Sequence, residues 1–252
     1  MKTALITGAT SGIGYEFAKQ LADRGFGLIV VGRRVERLQE LKESLSVPVD
    51  VIKADLNNQQ ECFGLLDQVA DKDIDVFINN AGFGLCGKFV ETDVNREVSM
   101  VQVNDIAMHI LFKGILQQMN KAGKGQILNV ASSAGILPAG PYMATYYASK
   151  AYVVSLTRAV DVELKESGSG VKVSALCPGP VDTEFNDTAD VVFALKGISA
   201  RQCVSEALKG MDRAKTIIVP SLRMKLAMAF QAIVPMPILV KLTARQQKKK
   251  MD

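Results

Sequence analysis

The chain has no tryptophan and a single histidine, His109, among its 252 residues. Its four cysteines, Cys62, Cys86, Cys177 and Cys203, are far apart and fit no zinc spacing, so no metal site is expected. Free thiols in a reducing cytoplasm are the expectation. Long hydrophobic runs are also missing. None reaches the ~18 residues of a membrane-spanning helix, and the nearest, Leu226 to Val240, is interrupted by Gln231, Pro235 and Pro237. Nor is there a large excess of one charge. With 30 Lys plus Arg against 26 Asp plus Glu, the net charge of +4 lacks the broad basic signature of a nucleic-acid binder. Only the end of the chain, with Arg245, Lys248, Lys249 and Lys250, is locally basic. Met1 to Gly8 reads directly into a strand, so no signal peptide is expected.

What the chain does have is alternation. Short β-branched runs, at Ala4–Thr7, Gly27–Val31, Val49–Ala54, Asp75–Asn79, Gln126–Ala131 and Val171–Leu176, are separated by patterns of helical period. Ile13, Phe17 and Leu21 mark the first helix, and Val35, Leu38, Leu41 and Leu45 the second. Longer helical stretches run over Val94–Asn120, Tyr146–Ser167 and Ala200–Ala214, and a last short strand over Thr216–Val219. Strands that are apolar throughout, alternating with helices, predict an α/β fold: a doubly wound parallel sheet of Rossmann type, covered by helices on both faces. No linker or repeat divides the chain. Residues 1–220 are expected to form one domain, with 221–252 an apolar and basic appendage of it.

The first strand runs into Thr7-Gly8-Ala9-Thr10-Ser11-Gly12-Ile13-Gly14 and then a helix. Glycines there let the backbone approach a pyrophosphate, and the helix N-terminus offers N–H groups to the anion. In this class the second strand ends near the adenosine ribose, where a carboxylate would select NAD. This strand ends Val30-Val31-Gly32-Arg33-Arg34 instead. Two guanidiniums suit a 2′-phosphate, so NADP(H) is the expected cofactor.

Tyr146 and Lys150 stand four residues apart, one above the other on a helix face. A phenol of pKa about 10 is a poor acid–base catalyst, and a neighbouring ammonium brings it toward the working range. Two serines, Ser132 and Ser133, lie just upstream. Ser133 lies thirteen residues before Tyr146, and the four-residue spacing to Lys150 favours Tyr146 over Tyr147 on that helix face.

Taken in order, the glycine loop, Asp55-Leu56, Asn79-Asn80-Ala81-Gly82, Asn104, Ser133, Tyr146/Lys150 and Pro178-Gly179-Pro180-Val181-Asp182-Thr183 resemble the short-chain dehydrogenase/reductase family. The likeness is to its ordinary-length type with Tyr-x-x-x-Lys. The Phe83–Phe89 stretch is more similar to a bacterial branch related to 3-ketoacyl and hydroxysteroid reductases. The resemblance implies that Gly8, Ser11, Gly12, Ile13 and Gly14 hold the pyrophosphate and that Asp55 and Leu56 contact adenine. It implies that Asn80, Ala81 and Gly82 lie along the ribose, and that Val181 and Thr183 hold the carboxamide. Tyr146 would be the acid/base, with Lys150 lowering its pKa and binding the nicotinamide ribose. Ser133 would hydrogen-bond the substrate oxygen, and Asn104 would keep a water in a proton relay. Ser11 stands where many NADPH-using relatives carry a base, which leaves the phosphate to Arg33 and Arg34. The implied activity is hydride transfer between NADP(H) and a carbonyl or secondary alcohol. A non-catalytic NADP(H) sensor acting through a partner is the alternative, and it leaves the Ser–Tyr–Lys set unused.

Ile136, Leu137, Pro138, Tyr142 and Met143, with Phe185, Val191, Val192, Phe193 and Leu195, are expected to border a small, hydrophobic carbonyl or alcohol substrate. Asp182–Asp190 is expected to be a lid. The tail from Leu222 mixes apolar residues with cations; packing on its own domain or on a second subunit is favoured over a membrane surface. The resemblance suggests a homodimer or homotetramer built on Val94–Asn120 and Tyr146–Ser167, and His109 is expected to be structural or interfacial.

Overall fold

The computed structural model describes residues 1–183, 197–231 and 233–248. Seven parallel strands form the main sheet: β1 Thr3–Thr7, β2 Gly27–Gly32, β3 Val49–Lys53, β4 Val76–Asn79, β5 Gly125–Val130, β6 Val171–Leu176 and, past a two-stranded ribbon of β7 Val181–Asp182 and β8 Ile198–Ser199, β9 Ile217–Ile218. Their order is β3-β2-β1-β4-β5-β6-β9. The chain therefore winds outward one way from β1 and the other way from β4. The carboxyl ends of β1 and β4 flank the switch point, where α/β sheets bind their ligands.

Alternation within each strand explains the two layers. Leu5, Ile29, Phe77 and Ile127 belong to one core, while Ala4, Ile6, Val30, Ile78 and Leu128 belong to the other. The first core is closed by α3 (Gln59–Gln68), α5 (Met108–Ala122) and α6 (Ala144–Glu166), through Leu65, Leu111, Ile115 and Val153. The second is closed by α1 (Gly12–Asp23), α2 (Val35–Glu43) and α7 (Ala200–Asp212), through Phe17, Leu38 and Val204. Each such side chain, fully buried, contributes about 1.5–3 kcal/mol.

The long helical stretch starting at Val94 does run on, but with a change of pitch. Between α4 (Val94–Val101) and α5, residues Gln102–Ala107 form a π-helical turn, which brings Asn104 into the interior. Extra-wide turns of this kind sit mostly at functional sites. The tail folds as two helices, α8 (Leu222–Gln231) and α9 (Met236–Lys248), which the interrupted hydrophobic pattern did not resolve.

Candidate active site

The loop from β1 to α1 is held from beneath. The Thr7 hydroxyl accepts the N–H groups of Asn80 and Ala81 at 2.9 and 3.1 Å. The Asn80 amide donates in return to the carbonyls of Thr7 and Gly8, at 2.9 and 3.2 Å. Gly8 has φ +66°, and a Cβ on it would come within 2.9 Å of the Asn80 amide nitrogen. A Cβ on Gly14 would overlap the Gly8 carbonyl oxygen. Both positions therefore require glycine. Ser11 caps α1 without a side-chain hydrogen bond, unlike Asn58, Asp93 and Ser199, which cap α3, α4 and α7. The first N–H groups of α1 thus face the cavity without a side-chain cap, as an anion cradle requires.

At the end of β2, Arg34 donates to Thr10 Oγ1 at 2.9 Å and to Ser11 Oγ at 3.1 Å. Arg33 lies 4.0 Å from the Asp55 carboxylate, an exposed and weak pair. These residues, with Gly12, Ile13, Leu56, Asn80, Ala81 and Gly82, line one end of a cavity of about 830 Å³. Tyr146, Lys150, Val181 and Thr183 line it further along. The glycine cradle, the uncapped helix start and the paired arginines fit a dinucleotide phosphate.

Tyr146 and Lys150 occupy successive turns of α6, both buried. Lys150 Nζ donates to the Val130 carbonyl at the end of β5, at 3.1 Å, and lies 5.8 Å from the Tyr146 ring centroid. Burial pulls the Lys150 ammonium down to about 8, with the Asp105 carboxylate opposing. Burial pushes Tyr146 up to about 12, and a hydrogen bond to the Ser132 side chain pulls the other way. Lys150, expected to bring the phenol down, does not outweigh that burial.

The Tyr146 hydroxyl is hydrogen-bonded to the Ser132 side chain, and Ser132 and Ser133 both line the cavity. Ser132 follows β5 in extended conformation and its Oγ also caps the short turn Ser133–Gly135, accepting from Ala134 N at 3.1 Å. Ser133 opens that turn, its N–H bound to the Pro178 carbonyl at 2.8 Å. An irregular loop, not a helix, separates both serines from Tyr146.

Asn104 does not line the cavity. Its side chain donates to the Phe83 carbonyl and Ser149 Oγ and accepts from Phe83 N, at 2.9, 3.1 and 3.0 Å. It ties the π turn to the Asn80–Gly82 loop and to α6. Beside it, half-buried Asp105 is raised to about 6 by burial, with Lys150 opposing. Sequence reasoning passed over Asp105, since nothing but the π turn aims it at Lys150. His109 is exposed, and its Nδ1 lies 2.6 Å from the Tyr152 hydroxyl.

Of the expected substrate border, Leu137 and Met143 line the cavity. Ile136 packs against the core instead, and Tyr142, with φ +67°, anchors Gly87 N through its carbonyl at 2.8 Å. Pro138 is not part of the lining either. Phe185, Val191, Val192, Phe193 and Leu195, and most of the expected Asp182–Asp190 lid, lie outside the described residues. The tail also contributes to the cavity lining. Met224, Met228 and Phe230 of α8 and Leu239, Leu242 and Gln247 of α9 roof the cavity. Gln247 donates to the Tyr147 hydroxyl, and Gln231 to the Ile136 carbonyl at 3.4 Å. These two hydrogen bonds tie the tail to the domain beneath it.

Residues 2–191 match the sequence profile of the short chain dehydrogenase family. An uncharacterised oxidoreductase of Staphylococcus epidermidis is 35% identical over 192 residues, which is 75% of this chain and 82% of that protein. A short-chain dehydrogenase from Sphingobium yanoikuyae in complex with NADPH superimposes with a TM-score of 0.81 at 28% identity, covering 93% of this chain and 97% of the other. A short chain dehydrogenase/reductase from Burkholderia phymatum in complex with NAD gives 0.83 at 25%, covering 92% of each. With its strand order, its glycine cradle and its Tyr146–Lys150 pair, the chain belongs to the short-chain dehydrogenase family of oxidoreductases.

Proposed function

We propose that the protein is an NADP(H)-dependent reductase of hydrophobic ketones or aldehydes, with Tyr146 as the acid and Ser132 as the group that polarises the carbonyl. The observation that carries this reading is the hydrogen-bonded Tyr146–Ser132 pair in a cavity whose far end holds Arg33 and Arg34. A bound nicotinamide would supply the hydride. Gly8, Gly12, Ile13 and the N-terminus of α1 hold its pyrophosphate, and Asp55, Leu56, Asn80, Ala81 and Gly82 the adenosine end. Val181 and Thr183 orient the ring.

Burial keeps Tyr146 protonated at neutral pH, which is the form that donates to a carbonyl oxygen. The Lys150 cation then stabilises the phenolate that remains. Asn104 supports the reaction by positioning, through Phe83 and Ser149. Arg34, already held against Thr10 and Ser11, is poised for a 2′-phosphate. The neighbours bind NADPH in one case and NAD in the other, so the arginines carry the choice of NADP(H). Leu137, Met143, Met224, Met228 and Leu239 make the substrate end apolar.

The test is NADPH consumption across ketones, aldehydes, 3-oxoacyl thioesters and 3-oxosteroids, with Ser132→Ala and Ser133→Ala run alongside. Turnover that falls in Ser132→Ala and survives in Ser133→Ala supports the assignment. The reverse pattern overturns it.

A further inference from the structure

We propose that α8 and α9 dock on the surface of a membrane rich in anionic phospholipid. The reason is the way these helices face. α9 buries Thr243 and Gln247, both polar, and leaves Met236, Ile238 and Leu242 exposed. α8 buries none of its residues and presents Leu222, Leu226 and Phe230 at four-residue intervals, followed by Ile233. An ordinary surface helix does the opposite, with its apolar stripe inward. An apolar face of this extent needs an apolar environment outside the protein.

Charge identifies that environment. Residues 222–248 contain Arg223, Lys225, Lys241, Arg245 and Lys248 and no Asp or Glu. Lys225 is bridged to Glu206 at 3.3 Å, while among the described residues no ion pair engages the other four. All four are exposed. Arg245 follows Ile238 and Leu242 on one stripe of α9, so cation and apolar side chains point the same way. Long cationic side chains can reach lipid phosphates while their stems lie along acyl chains. A second protein copy would have to neutralise the same cations with carboxylates, and this face has none to offer its twin. Among the described residues no helix is long and apolar enough to cross a membrane, so contact is with the interface. Phe230 and Leu242, 63% and 50% exposed, also line the cavity. The rim of the cavity therefore opens on the docking face. Such binding stands whatever the chain reduces.

Flotation of the full chain with vesicles tests it. Vesicles of phosphatidylcholine with phosphatidylglycerol should carry at least about tenfold more protein than phosphatidylcholine alone. Salt at about 1 M, where screening acts within ~3 Å, should abolish the difference. Leu222→Gln/Leu226→Gln/Ile233→Gln should lose the binding. Lys241→Gln/Arg245→Gln/Lys248→Gln, which leaves the apolar face untouched, should lose the preference for phosphatidylglycerol. Protein that stays at the bottom of the gradient with both vesicles overturns the proposal. So does a dimer, seen by light scattering, that the leucine variant splits, because the face would then belong to a second copy.

Discussion

At the floor of the cavity, the buried polar groups beneath the glycine loop have partners, while Gln102 Nε2 and Asp105 Oδ1 of the adjoining π turn have none among the described residues. Thr7 takes two N–H groups, Asn80 gives to two carbonyls, and Asn79, Asn129 and Thr157 pass hydrogen bonds across β4, β5 and α6 at 3.0–3.2 Å. In the roof, α9 turns Thr243 and Gln247 inward, and Gln247 Oε1 is buried with no partner among the described residues. A satisfied network rigidifies, and an orphaned atom costs about 1–3 kcal/mol. The floor is therefore built to hold one cofactor in one place. The roof is a weaker element, whose contacts are completed by what lies under it or over it.

The largest effect expected from breaking the floor is chemical. Tyr146→Phe removes the proton donor without touching the phosphate cradle, so kcat should fall about 10²–10⁴-fold. Cofactor affinity, followed by fluorescence titration, should stay within a few-fold. Turnover that survives would remove Tyr146 from the reaction. Gly14→Ala breaks the floor differently. Its methyl meets the Gly8 carbonyl, so affinity for the cofactor should collapse together with thermal stability.

Arg34→Ala and Arg33→Ala sharpen the comparison at the far end of the floor. A charge-assisted hydrogen bond contributes about 1.5–3 kcal/mol, so the preference for NADPH over NADH should drop about ten- to hundred-fold. The Arg34 variant should lose more, because Arg34 is fixed against Thr10 and Ser11 while Arg33 reaches only an exposed Asp55 at 4.0 Å. Kinetics with the two cofactors reads this directly.

The same contrast governs what could be read from the residues alone. Strands, helices and the glycine loop follow period and spacing, so β1 to β6, α1 and the Tyr146/Lys150 pair were legible. The hydrogen bond from Tyr146 to Ser132 was not, because spacing across an irregular loop carries no geometry. Asp105 was hidden because a helical wheel assumes a constant pitch, and the π turn at Gln102–Ala107 breaks it. The roof was hidden for another reason. A helix with its polar residues inward, as at Thr243 and Gln247, inverts the pattern by which burial is inferred.

Gln247→Ala tests the roof itself. It leaves the Tyr147 hydroxyl without its tail partner, at a site where burial already pushes that phenol up to about 12. KM for a hydrophobic carbonyl should rise several-fold while kcat changes little, because no group of the floor has moved. A parallel fall in kcat would mean that the roof positions Tyr146 through its neighbour.

The smallest effect links floor and π turn through charge. Lys150 loses its proton as pH rises through about 8, so carbonyl reduction should decline over that range as the phenolate left on Tyr146 loses its cation. Asp105 is the charge that holds Lys150 from falling further. Asp105→Asn should therefore move the falling limb of kcat/KM to lower pH. The two proteins should converge below about 6, where Asp105 is itself protonated. Stability gives an independent reading with its own sign. The folded state holds the Asp105 proton more tightly than the unfolded chain between 3.8 and about 6, so stability declines as pH rises through that window. Asp105→Asn should remove that decline and melt at a higher temperature above pH 6. If the limb stays in place while the melting difference appears, Asp105 acts on the fold alone and some group other than Lys150 sets the pH dependence of turnover.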